Sequence, residues 1–147
     1  MKLYFLITAL LGFSDLSHGQ DISPFNVPSV IQNHFEAEFP NAKDVEWDLE
    51  GELYEVEFEI GWNVDHEIWY NAQGEIVKHK EDIASSELPE AVKQTLKRDF
   101  KTYVIDDLQK ITAPEATVYK MELASLIKEE WDVLMDSSGK VLRKVAD

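Results

Sequence analysis

The sequence predicts an α+β protein of two tandem repeats, each a helix followed by four antiparallel strands, with both helices packed on one face of a shared sheet. Three observations predict it. Val27-Pro28-Ser29-Val30-Ile31 is echoed 61 residues later by Leu88-Pro89-Glu90-Ala91-Val92, and the same offset pairs Phe35 with Leu96 and Phe39 with Phe100. Further on the offset becomes 65: Tyr54-Glu55-Val56-Glu57-Phe58 matches Tyr119-Lys120-Met121-Glu122-Leu123, and Asn71-Ala72-Gln73-Gly74 matches Asp136-Ser137-Ser138-Gly139. A four-residue insertion between Lys110 and Ala116 accounts for the change. Finally, hydrophobic spacing of four gives way in each copy to strict alternation, the periods of a helix and of a strand.

Each copy opens with a helix. Pro28 and Pro89 suit a first turn, where a missing N–H costs nothing. Val27, Ile31, Phe35 and Phe39 recur at helical spacing, as do Val92, Leu96, Phe100 and Tyr103. Pro40 ends the first helix. Val45, Trp47 and Leu49 alternate with acids and predict a half-buried strand. The run 48–52 supplies a turn, Tyr54 to Ile60 a second strand, and Trp62 to Tyr70 a third. The two Asn/Asp-x-x-Gly segments predict hairpin loops with glycine where a positive φ is needed. Ile76 to Lys80 and Val141 to Val145 close the copies. The organisation is thus residues 1–19 as a leader, 20–26 as an N-terminal segment, 27–83 as repeat 1 and 84–147 as repeat 2.

The leader reads as a secretory signal peptide. Lys2 is a minimal charged start, Leu3 to Phe13 an apolar run too short to span a bilayer, and Ser17-His18-Gly19 places small residues three and one before a cut that leaves Gln20 first. The expected location is periplasmic or secreted, with no membrane insertion after cleavage. The chain holds 29 acidic and 14 basic residues in 147, a net charge of −15. Losing Lys2 and Asp15 leaves that charge unchanged. Such a surface repels phosphate, which excludes nucleic acid as a partner and disfavours anionic membranes. No cysteine is present, so disulfides, zinc–cysteine sites and a thiol nucleophile are excluded.

The Val27-Pro28 and Leu88-Pro89 helix starts, the antiparallel strands, the two Gly hairpins and the tandem duplication resemble the PepSY-like family. That family is described as similar to beta-lactamase inhibitory protein and is common in Bacteroidetes-type Gram-negative bacteria. The resemblance covers residues 27–147. It implies a non-enzymatic binding module, without catalytic residue or cofactor, docking a protein or peptide partner on an exposed sheet face. Its sharper form is inhibition of a periplasmic or secreted hydrolase. The inhibitory protein carries disulfides and this chain has none, so its inhibitory loops and target do not carry over.

The residues themselves offer little chemistry. No His-Glu-x-x-His, Gly-x-Ser-x-Gly or P-loop pattern occurs. Of the histidines after the leader, His34 falls near the apolar face of its helix, His66 takes the position of Trp131 in the second copy, and His79 lies between Lys78 and Lys80. Asp65-His66-Glu67 is no ready-made triad, because neighbouring residues on a strand point to opposite faces. The carboxylates are more informative. If the second and third strands pair, Glu55, Glu57, Glu59, Asp65 and Glu67 share one face, away from the helix. That face reads as a solvated surface, as a dock for a basic partner, or as a weak calcium site of clustered oxygens. Like charges on paired strands cost stability that folding alone does not require. Trp69 and the equivalent Leu134, with Asp132, fall on the same side. A partner-binding set follows: Glu55, Glu57, Glu59, Asp65, Glu67, Trp69, Asp132 and Leu134, with Trp69 either an exposed anchor or covered by a neighbouring segment. The competing reading is an envelope protein that binds a small molecule or calcium.

Overall fold

The computed structural model describes residues 19–146. The predicted leader, apart from Gly19, lies outside the described residues. Among the described residues, two α-helices and nine strands, antiparallel in every pairing given below, make the fold α+β. Close contacts divide the described residues into two units, one running up to residue 80 with 113–116 and one of residues 81–112 with 117 onward. Each has its own core.

In the first unit, β1 (Gln20–Asp21) and a 3₁₀ turn (Pro24–Asn26) precede helix α1 (Ser29–Glu38), then β2 (Lys43–Glu50), β3 (Leu53–Ile60), β4 (Val64–Tyr70) and β5 (Ile76–Asp82). β5 carries its last two residues into the second unit. Pro28 caps α1 instead of sitting in its first turn: its carbonyl accepts from the N–H groups of Ile31 (2.9 Å) and Gln32 (3.2 Å). The helix stops at Glu38, Phe39 being its C-cap, just before Pro40. Strand β1 adds to the sheet residues that the sequence left as a bare N-terminal segment; Gln20 lies opposite Leu49 and Asp21 opposite Asp48.

Alternation decides which side chains meet the helix. Ile31 and Phe35 of α1 pack with Trp47, Val56, Phe58, Ile68 and Tyr70. Phe58 is 3% exposed, its ring 5.0 Å from Phe35, 4.9 Å from Phe39 and 5.1 Å from His66. Burying such a side chain contributes about 1.5–3 kcal/mol. Two expectations need correction here. A register shift between Lys43 and Glu46, with Asp44 at φ 50°, interrupts β2, so Trp47 is buried while Val45 is turned out. The third strand starts at Val64, because Gly61 (φ 67°) and Asn63 (φ 51°) hold a turn whose tip is Trp62.

The second unit runs from a 3₁₀ turn (Ser85–Glu87) through helix α2 (Glu90–Asp99) to β6 (Val104–Ala113), β7 (Ala116–Ala124), β8 (Trp131–Asp136) and β9 (Val141–Ala146). Tyr103 falls beyond the helix, its N–H donating to the Phe100 carbonyl. The inserted residues lengthen β6 and β7 to 10 and 9 residues, against 8 in each of β2 and β3. The core gathers Leu88, Val92, Phe100, Leu108, Tyr119, Met121, Leu123, Val133 and Met135. Pairing of β7 with β8 reproduces that of β3 with β4: Val56 faces Ile68 and Met121 faces Val133, while Phe58 faces His66 and Leu123 faces Trp131.

Candidate functional site

The pairing of β3 with β4 brings the predicted acids together. Glu55 lies opposite Trp69, Glu57 opposite Glu67 and Glu59 opposite Asp65. Since Val56, Phe58, His66 and Ile68 go to the core, the acids take the face away from α1. Carboxylate oxygens of Glu55, Glu57 and Glu67 come within 4.8 Å of one another. Like charges so placed repel, and the effect is visible in Glu55. Burial, then the charges of Glu67, Glu50 and Glu57, push its carboxyl up to about 7, against a pull downward from Lys78. Burial and the Glu67 charge also raise Glu57. Part of the charge is met locally: Lys80 Nζ sits 2.5 Å from Glu67 Oε1.

Trp69 is on the predicted face but is only 4% exposed. Its indole N–H donates to Glu50 Oε2 at 2.7 Å, and Lys78 Nζ lies 3.4 Å above the ring. Side chains of the same sheet cover it, so it is a floor for charged groups and offers no free apolar area. In the second unit, Asp132 lies opposite Glu122 and Leu134 opposite Lys120. Leu134 is likewise buried, at 7% exposed. Asp132 Oδ1 is buried without a hydrogen-bond partner.

Sequence reasoning missed the exposed apolar tips. Trp62 is 96% exposed at the β3–β4 turn. Leu126 and Ile127, in the β7–β8 connection, are fully exposed and 86% exposed. Gly61 and Asn63 were the available signal, since both residue types tolerate the left-handed region and so mark a displayed turn.

Alternation places His66 on the core side of β4, whereas His34, expected near the apolar face of its helix, is exposed. His66 is buried and stacks on Phe58, and its Nδ1 lies 3.0 Å from Nε2 of His79 on β5. His34 is exposed, yet its Nδ1 reaches the Gly74 carbonyl oxygen at 2.8 Å. An open cleft of about 350 Å³ is lined by His34, Ala37, Glu38, Tyr70, Gly74 and Ile76. The Tyr70 hydroxyl is buried without a hydrogen-bond partner, and burial with the nearby Glu38 charge raises its pKa. Among the described residues no helix is long and apolar enough to cross a membrane.

Short helices laid on antiparallel strands, with clustered acids on the opposite face, define an α+β module. The chain belongs to the beta-lactamase-inhibitor-like, PepSY-like family, whose description matches residues 15–66 and 52–143. Solved structures share the fold. A DUF2874 family protein from Bacteroides uniformis superposes with a TM-score of 0.67 at 18% identity, covering 81% of this chain and 88% of that one. A BLIP-like protein from Bacteroides fragilis gives 0.64 at 20% identity, over 81% and 85% of the two chains. A protein described as a candidate periplasmic one, from Bacteroides eggerthii, gives 0.69 at 20% identity, over 82% and 88%. No curated protein matches.

Proposed function

We propose that this protein is an exported, non-enzymatic binding module that docks a basic protein partner on the acidic face of its β3–β4 hairpin. The observation that carries the reading is the direct pairing of Glu57 with Glu67 and Glu59 with Asp65, in a hairpin whose turn exposes Trp62. Cross-strand like charges cost stability, a cationic partner relieves that cost, and an exposed Trp is the residue type that most often anchors an interface. Asp132 and Leu134 supply the corresponding positions of the second unit. The sharper form, inhibition of a periplasmic or secreted hydrolase, rests on the family's description and on the BLIP-like fold. The tripartite leader supports export, with a cut after Gly19.

The test is a panel of purified beta-lactamases and other envelope hydrolases, assayed for inhibition and for binding to the immobilised chain at low and high salt. A bound enzyme whose affinity falls with salt and with Glu55, Glu57 and Glu59 changed to Gln supports the reading; binding indifferent to both rejects it. The small-molecule reading is favoured by one observation, the orphaned Tyr70 hydroxyl beside the cleft. A Tyr70→Phe variant that loses a ligand-dependent rise in thermal midpoint would support that alternative.

A further inference from the structure

We propose that His66 and His79 form a binding site for a transition-metal dication, with zinc as its representative. The site is separate from the acidic face: it lies on the core side of the strands, so the inference stands apart from the docking proposal.

The geometry is the first argument. Two facing imidazole nitrogens, His66 Nδ1 and His79 Nε2, are 3.0 Å apart. Ring nitrogens bind zinc at about 2.0–2.1 Å, so two of them in a tetrahedral shell are about 3.3 Å apart. The rings meet head-on, with centroids 5.3 Å apart and planes 28° apart, so to admit the ion the pair opens by a few tenths of an ångström and each ring tilts until both nitrogens face the metal. One of the facing nitrogens now carries the bonded proton. Moving that proton to the other nitrogen of the same ring leaves a lone pair on each facing nitrogen, with both imidazoles neutral.

The surroundings are the second argument. His66 stacks on Phe58 at 5.1 Å with the planes 12° apart, and Phe39 lies 6.4 Å from His66 and 6.0 Å from His79. Aromatic packing confines both rings to one place, which reduces the ordering that metal binding would otherwise require. Glu81, the next residue of the same parity on β5, already accepts from Lys110 Nζ at 2.6 Å. The proposal therefore rests on the two imidazoles, with water completing the shell.

The third argument comes from the same slot in the second unit. Trp131 stands where His66 stands in the pairing register. Lys144, 65 residues after His79, places Nζ 3.7 Å over the Trp131 ring and 5.5 Å over Phe100. Phe100 is the repeat counterpart of Phe39. The fold thus closes this slot with a Trp–Lys cation–π pair in one unit, so it does not require two imidazoles there in the other. Nitrogen ligands of this kind prefer zinc, nickel and copper over calcium.

The experiment titrates the exported chain with ZnCl₂ and, separately, with CaCl₂, following thermal midpoint and heat of binding. Two variants accompany it. His66→Trp with His79→Lys installs the sister pair, and His79→Gln removes one ligand with little change in volume. His34 is intact in all of them, so binding there cancels. Zinc should raise the parent midpoint by at least about 2 °C, reversibly with chelator, and bind both variants at least about tenfold more weakly. Calcium should do neither. Zinc binding equally tight in parent and His79→Gln, or a calcium response equal to that of zinc, would overturn the assignment.

Discussion

His34 Nδ1 lies 2.8 Å from the carbonyl oxygen of Gly74, tying α1 to the β4–β5 hairpin. A carbonyl only accepts, so Nδ1 carries the proton. Thr95 Oγ1 donates to the Gly139 carbonyl at the same distance of 2.8 Å, tying α2 to the β8–β9 hairpin. Two different side chains, 61 residues apart, make one bond to glycines 65 apart. The hairpins are shaped alike, Asn71 Oδ1 accepting from Gln73 and Glu75 N–H groups and Asp136 Oδ1 from those of Ser138 and Lys140.

The two glycines should nevertheless respond differently to alanine. Both sit in the left-handed region, Gly74 at φ 81° and Gly139 at φ 79°. A Cβ on Gly74 meets His34 Nδ1 at 3.0 Å, a side chain that can turn away. A Cβ on Gly139 meets the backbone oxygen of Ala91 at 2.4 Å, which cannot. Gly74→Ala should cost about 1–2 kcal/mol and Gly139→Ala more than about 3 kcal/mol, measured by urea unfolding. Equal losses would show that the helix–hairpin contact in the second unit is looser than its geometry.

Phe58→Ala should cost about 3–5 kcal/mol in the same assay. Its ring is fixed by Phe35, Phe39 and His66, and few of those neighbours can collapse into the space it leaves. A loss under about 1 kcal/mol would place Phe58 at the surface and reverse the facing of β3.

The comparison of Phe58 with Trp62 explains what the sequence could reveal. Alternation along Tyr54 to Ile60 assigns Phe58 to the core and Glu57 to the other face, because strand period is fixed at two. The same rule extended into Trp62 fails, since Gly61 and Asn63 adopt left-handed conformations that end the alternation. Val45 fails similarly at a bulge, which reverses parity without an obvious residue signature. The acids of the candidate site were therefore legible, and the burial of Trp69 was not: its cover comes from Lys78 on β5 and from Glu50 on β2, which lies on the far side of β3. The meeting of His66 with His79 depends likewise on the register of β4 against β5, which alternation alone leaves open.

Glu55 should make stability depend on pH. Its carboxyl titrates near 7 when folded and near the ordinary 4.5 when unfolded. Between those values the folded chain holds a proton that the unfolded chain has released. Stability from this group is therefore fully present below about pH 4.5 and is lost as pH rises through 7. Glu55→Gln should gain on the order of 1–3 kcal/mol at pH 8 and nothing below about pH 4.5, read from urea midpoints across that range. A gain independent of pH would mean that Glu55 is charged throughout.

The docking proposal predicts that Trp62 and the acids act on different steps of association. Trp62 is 96% exposed, so Trp62→Ala should leave folding intact. Trp69→Ala should not: it removes a buried ring, an indole bond to Glu50 and the surface under Lys78. With a partner from the hydrolase panel, Trp62→Ala should weaken binding by about 2 kcal/mol, mainly through faster dissociation. Changing Glu55, Glu57 and Glu59 to Gln should instead slow association at low salt. That effect should fade as the Debye length shortens to about 8 Å near physiological ionic strength. Surface plasmon resonance at several salt concentrations separates the two. If the Gln variant associates like the parent at every salt concentration while Trp62→Ala still weakens binding, the hairpin tip alone is the dock. The crowding of Glu55, Glu57 and Glu67 would then serve only to keep the face in water.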